Sequence, residues 1–200
     1  ANGTVKKTPL EQFSRPRASG LIALDLEEDN WLVGAAITDG ESDILLCSSS
    51  GKAVRFAESA VRSMGRSAKG VRGIRLTKGH EVISLSVPEE GGRLLTASSN
   101  GFGKCTDLAE FPTKGRGGQG IIAMQTSERN GDLVGAVQVF GSDEVMLISN
   151  LGTLVRTSVD EISVLGRNTQ GVKLINLKDG ESLNSVERIF DEDGESGPEV

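Results

Sequence analysis

Among its 200 residues the chain has no tyrosine, one histidine, one tryptophan and two cysteines. The missing tyrosine excludes any mechanism with a tyrosine nucleophile. Nucleotide hydrolysis has no evident seat, because Ser48-Ser-Ser-Gly-Lys52 holds a Gly-Lys pair without the Walker spacing. His80 stands between Gly79 and Glu81 in an expected turn, which predicts a solvent-exposed ring with no acid–base role. Cys47 and Cys105 share no short metal-binding spacing and lie in apolar runs, so they are expected to be buried free thiols in a reducing compartment. No stretch approaches the roughly 20 apolar residues of a membrane span, and no secretory leader opens the chain. A soluble protein without an export signal of its own is expected, not an enzyme by itself.

What the chain has in abundance is glycine, 26 residues, and its placement is periodic. One set stands at Gly3, Gly51, Gly101 and Gly152, with steps of 48, 50 and 51. A second stands at Gly20, Gly70, Gly120 and Gly171, with steps of 50, 50 and 51. Two sets in step over nearly the whole length identify four structural repeats, near 1–42, 43–92, 93–143 and 144–190.

Each repeat reads as short strands. Asp43-Ile-Leu-Leu-Cys-Ser-Ser-Ser-Gly51 followed by Lys52-Ala-Val-Arg-Phe56 predicts a hairpin over a Ser-Gly turn, and the same event recurs at Arg93 to Thr106 and Glu144 to Thr157. After each hairpin come a polar loop, the second glycine and a third run such as Val71 to Leu76 or Val172 to Leu177. A fourth run follows, at Leu32 to Ile37, Val82 to Val87, Leu133 to Val139 and Leu183 to Ile189. Ala57 to Arg62 and Ser158 to Ser163 are each long enough for one helical turn and no more. Four strands per fifty residues predict an all-β, propeller-like disc with four visible blades over residues 1–190. Residues 191–200 form an acidic tail, expected to be disordered.

A formal charge of −6 argues, on average, against a nucleic-acid partner, but the charges are segregated. Residues 51–75 carry Lys52, Arg55, Arg62, Arg66, Lys69, Arg72 and Arg75 against the single acid Glu58, whereas residues 21–50 hold seven acids and no base. The cations also keep the repeat register. Lys7, Arg55 and Arg156 lie four places after the first glycine, and Lys6 and Lys104 three places after it. Arg17, Arg66, Arg116 and Arg167 precede the second glycine, reinforced by Arg15, Lys69 and Lys114. Equivalent positions of successive blades face the same way, so these residues predict a band of positive charge suited to a long polyanion bent around the disc. Gly115-Arg-Gly-Gly-Gln-Gly120 adds a loop of little bulk that suits close approach of a phosphate backbone. For Arg55 and Arg156 the alternative is pairing with acids of a neighbouring blade. Two other classes are poorer fits: a protein-interaction propeller has few aromatics here to build on, and a propeller glycosidase lacks its tyrosine or clustered carboxylates.

Several strings, in order, resemble the C-terminal domain of bacterial DNA gyrase A: Asn2-Gly-Thr-Val-Lys-Lys-Thr8, Gly51-Lys-Ala-Val-Arg-Phe56, Gly70-Val-Arg-Gly-Ile-Arg-Leu76, Glu128-Arg-Asn-Gly131, Gly152-Thr-Leu-Val-Arg-Thr157 and Gly166-Arg-Asn-Thr-Gln-Gly171. The resemblance implies a β-pinwheel whose blades exchange strands and which wraps duplex DNA around a basic perimeter. The wrapping lets an ATP- and Mg²⁺-dependent core, a heterotetramer built with the rest of gyrase A and with gyrase B, introduce negative supercoils in the bacterial cytoplasm. No cofactor is implied for this chain, and the paralogous domain of topoisomerase IV is the nearest alternative. The family has about six blades, and its basic box, Gln-Arg-Arg-Gly-Gly-Lys-Gly, is absent here. Lys114-Gly-Arg-Gly-Gly-Gln-Gly120 is a relaxed echo of it in a later repeat, Cys105 replaces a basic residue, and the loop at Pro16-Arg17 departs from the others in spacing. A part of the wrapping domain is therefore expected.

Overall fold

The computed structural model describes residues 1–189; the acidic tail falls outside the described residues. Repeats two to four each open on the expected hairpin. These are β2 (Asp43–Ser48) with β3 (Lys52–Ala57), β6 (Arg93–Ser98) with β7 (Phe102–Asp107), and β10 (Glu144–Ser149) with β11 (Leu154–Ser158), all antiparallel. The turns close on a recurring bond, Gly51 N–H to Ser48 O at 3.0 Å and Gly101 N–H to Ser98 O at 2.9 Å. Along β2 and β6 the apolar run is continuous because both faces are covered, and Leu45, Leu46, Leu94 and Leu95 are buried. A 3₁₀ turn ends each hairpin, at Glu58–Ala60 and Val159–Glu161, where the sequence allows one helical turn, and also at Leu108–Glu110.

The fourth runs form β5 (Val82–Ser86), β9 (Leu133–Val139) and β13 (Leu183–Ile189), paired with the first hairpin strand of their own repeats. Each pairing carries an irregularity at the same place, Cys47/Ser48, Ala97/Ser98 and Ile148/Ser149. One extra residue there increases local twist. β9 packs between β5 and β13, and apolar clusters fill the spaces between successive hairpins. Cys47 and Cys105 lie in these clusters, where burial pushes their thiols up to about 12 and about 11.

The third runs do not stay with their own repeats. β4 (Val71–Arg72) pairs with β1 (Thr4–Val5), β8 (Ile121–Ile122) with β3, and β12 (Val172–Lys173) with β7, so in three of the four sheets an outer strand comes from the following repeat. Two amides fix each crossover: those of Ala123 and Met124 donate to Gly51 O at 2.8 and 3.1 Å, and those of Leu174 and Ile175 to Gly101 O at 2.8 and 3.3 Å. Glycine is required at these joints. Gly51 has φ +77°, and a Cβ there would meet Met124 O at 2.2 Å; Gly120 has φ +74°, and a Cβ would meet Ala53 O at 2.4 Å.

Four equal blades are not what forms. Two sheets have four strands, one has three and one has two. Leu32 to Ile37, expected as a strand, carries no strand ladder, because its counterparts pair with a first hairpin strand and the first repeat has none among the described residues. The Leu154 side chain is exposed on the edge of β11 that has no partner strand among the described residues.

Candidate nucleic-acid interface

The outer strands and the loops leading into them carry most of the predicted cations. Arg62, Lys69 and Arg72 on the second repeat and Lys114 on the third are exposed, and none forms an ion pair among the described residues. Lys52 stands half-buried opposite Ile122, as Arg72 stands opposite Thr4. Arg15 and Arg17 are exposed on the first loop.

The three loop arginines do more than face solvent. Nη1 of Arg66 donates to Ile22 O at 3.0 Å, that of Arg116 to Arg72 O at 2.9 Å, and that of Arg167 to Ile122 O at 3.0 Å. Each reaches back to the residue two places after the second glycine of the preceding repeat. The same periodicity that predicts a cation band therefore also builds a chain of inter-blade staples. A guanidinium has five N–H donors, so one bond to a carbonyl leaves others free for a phosphate. The Arg116 Nε takes a second carbonyl, Ala60 O, at 2.8 Å, and Arg167 lies 3.8 Å from Glu110.

Other predicted cations are committed to the fold. Lys104 is fully buried, with Nζ donating to Arg167 O at 2.7 Å and also to Gly166 O. Burial lowers its amine to about 8, and Arg167 adds to the effect against the opposing charge of Glu110. It takes no place on the surface, because the third position after the glycine points into the joint with the next loop. Lys6, its counterpart, donates to Arg66 O and to Ala23 O at 2.9 Å, and burial, then the Arg66 charge, lowers it too. Lys7 pairs with Glu58 at 3.6 Å, Arg55 with Asp43 at 2.7 Å and Arg156 with Glu144. Arg55 also donates to Leu108 O and Phe111 O of the next repeat, so it does bridge blades, whereas Arg156 pairs within its own hairpin. Burial pushes Glu58 up, but bonds from Thr38, Ser42 and Gly40 and the Lys7 charge outweigh it and hold the carboxyl below its ordinary value.

His80 is not open to solvent as expected. Its Nδ1 lies 3.2 Å from Ser49 Oγ and 3.9 Å from Asp132. Two cations were not among those predicted for the band: Arg129 and Lys173 lie 4.8 and 4.6 Å from the centroid of the Phe102 ring. Lys173 occupies the position of Arg72 on the outer strand, a signal the sequence held; the ring beneath it is not legible without the strand exchange. Among the described residues no group of three or more His, Cys, Asp or Glu could hold a metal ion, and no helix is long and apolar enough to cross a membrane.

A family model described as DNA gyrase C-terminal domain, beta-propeller, matches residues 1–39, 42–89, 92–139 and 143–189. The DNA gyrase A protein of Pseudomonas aeruginosa is 62% identical over 97% of the chain, and that of Escherichia coli K12 is 51% identical over 94%. The chain spans 21% and 22% of the length of these relatives. A solved DNA gyrase A C-terminal domain superposes with a TM-score of 0.83 at 26% identity, over 95% of this chain and 64% of that one. The C-terminal domain of DNA topoisomerase IV gives 0.88 at 27%, over 94% and 59%.

Proposed function

Because the chain belongs to the DNA gyrase C-terminal β-propeller family, we propose that it is a non-catalytic DNA-wrapping element of gyrase A, holding duplex DNA bent around its basic perimeter. The observation that carries this reading is the set of exposed cations on consecutive outer strands and loops, Arg62, Lys69, Arg72 and Lys114, none of them in an ion pair among the described residues. Smoothly bending 20–30 base pairs by 40–90° costs on the order of 1–6 kcal/mol. Several phosphate contacts on a curved rim offset that cost with little reading of bases.

The wider role follows from the relatives. Within an ATP-dependent type II topoisomerase, together with the rest of gyrase A and with gyrase B in the bacterial cytoplasm, wrapping fixes the sign of the DNA crossing on which strand passage acts. The sequence relatives at 51–62% identity are gyrase A proteins, which favours gyrase over topoisomerase IV; the two structural likenesses do not separate them.

Duplex titration over a salt series tests the proposal. Each neutralised phosphate contributes a slope of about −0.9 in log K against log salt, so a slope steeper than about −3 is expected. Relaxing a nicked circle with the chain bound, then ligating it, should shift its linking number. A flat salt response, or circles with unchanged linking number, would sink the wrapping reading.

A further inference from the structure

We propose that Arg129 and Lys173, stacked on Phe102, form a docking site for the phosphodiester backbone of duplex DNA on the third hairpin. The inference rests on the wrapping reading and adds to it two cations, one of them at the register position of Arg72, that the predicted band did not include. Three observations carry it.

The first is position. Each joint with a borrowed outer strand has two cross-strand pairs, and one of the two is, in turn, Thr4 with Arg72, Lys52 with Ile122, and Phe102 with Lys173. Each contains one cation, alternately on the borrowed strand and on the hairpin. Lys173 therefore continues a row, one positive charge at each joint, that Arg72 and Lys52 begin.

The second is preorganisation. Both cations stand within 5 Å of one ring centroid, where the electron-rich face attracts them. Lys173 also donates to Asn100 O and Arg129 to Gln170 Oε1, both at 3.4 Å. The Arg129 loop is locked from beneath by Asn130, which is fully buried and donates to Gln125 O at 2.7 Å and Gln170 O at 3.3 Å while accepting from the Ser127 amide and hydroxyl. Side chains ordered before binding lose less freedom when the ligand arrives.

The third is unsatisfied charge. Neither cation has an ion-pair partner among the described residues, although Glu128 adjoins Arg129 in sequence. Sharing one ring places the two charges within about one Debye length of each other, about 10 Å at 0.1 M salt. An anion between them relieves their repulsion, and a diester oxygen pair suits a guanidinium fork beside an ammonium.

The test uses this chain and a labelled duplex over a salt series. With Arg129→Ala and Lys173→Ala together, the negative log–log slope should become shallower by about 1.8, two phosphates at about 0.9 each. Arg129→Lys with Lys173→Arg should keep the slope. On the unmutated chain, acetylation of Lys173 should fall when duplex is bound, alongside that of Lys52, whereas buried Lys104 should stay unlabelled throughout. Salt-dependent binding by the parent chain with an unchanged slope in the double alanine variant, or equal labelling of Lys173 with and without duplex, would overturn the site and leave wrapping intact. Absence of salt-dependent binding by the parent chain would overturn both.

Discussion

At the scale of single residues, the chain spends positive charge in two ways, and burial decides which. Lys104 is the extreme case, an amine with no exposure whose donors hold the backbone carrying Arg167. Its pH signature follows from its shift. The unfolded side chain keeps its proton to about 10.5 and the folded one only to about 8, so between these values the unfolded chain binds more protons and stability rises with pH. Cys47 and Cys105 run the other way above 9.0, because burial raises both thiols. Denaturant unfolding of Lys104→Met beside the parent at each pH isolates the lysine: the stability of the parent relative to the variant should rise between pH 8 and 10.5. Glu58 governs the acid side. Its folded value lies below the unfolded one, so its contribution is present above the unfolded value of 4.5 and is lost as pH falls through the folded value. Glu58→Gln should cost about 1–3 kcal/mol near neutrality and flatten the acid limb of the stability profile.

At the scale of elements, the borrowed outer strand is the unit that matters. It is only two residues long by ladder count, yet glycines, paired amides and an arginine staple fix it. Gly120→Ala forces a left-handed alanine, at about 1–2 kcal/mol, with its Cβ against Ala53 O. Amide exchange at Lys52, Ala53, Ile121 and Ile122 should then accelerate before the rest of the sheet opens, and protection unchanged there would refute the joint. Hairpins, turns and fourth strands were legible in the sequence, because alternation, Ser-Gly turns and apolar runs are local signals. The exchange of third strands was not legible from the residues themselves and came from the resemblance alone. Nothing in Val71-Arg72 or Ile121-Ile122 says which hairpin it will join. The placement of the cations was half legible for the same reason: Lys69 and Lys114 are exposed as their register predicts, whereas the role of Arg66, Arg116 and Arg167 as staples, and the ring beneath Lys173, depend on which repeat lies alongside.

At the scale of the whole molecule, the free ends of the pattern make a further prediction. Ile22, two places after the second glycine of the first repeat, is 77% exposed, and Leu154, on the free edge of β11, is 61% exposed. Unpaired strand edges recruit other chains, so the isolated chain should associate at high concentration. Leu154→Lys should weaken that association in sedimentation velocity without altering the fold, and unchanged association would place the contact elsewhere. The borrowed strands also bear on how force travels. Successive repeats overlap like roof tiles, each pinned under the edge of the next. Tension on any one tile therefore passes to its neighbour through the shared strand pairing, so the overlapped repeats should resist peeling together rather than one by one.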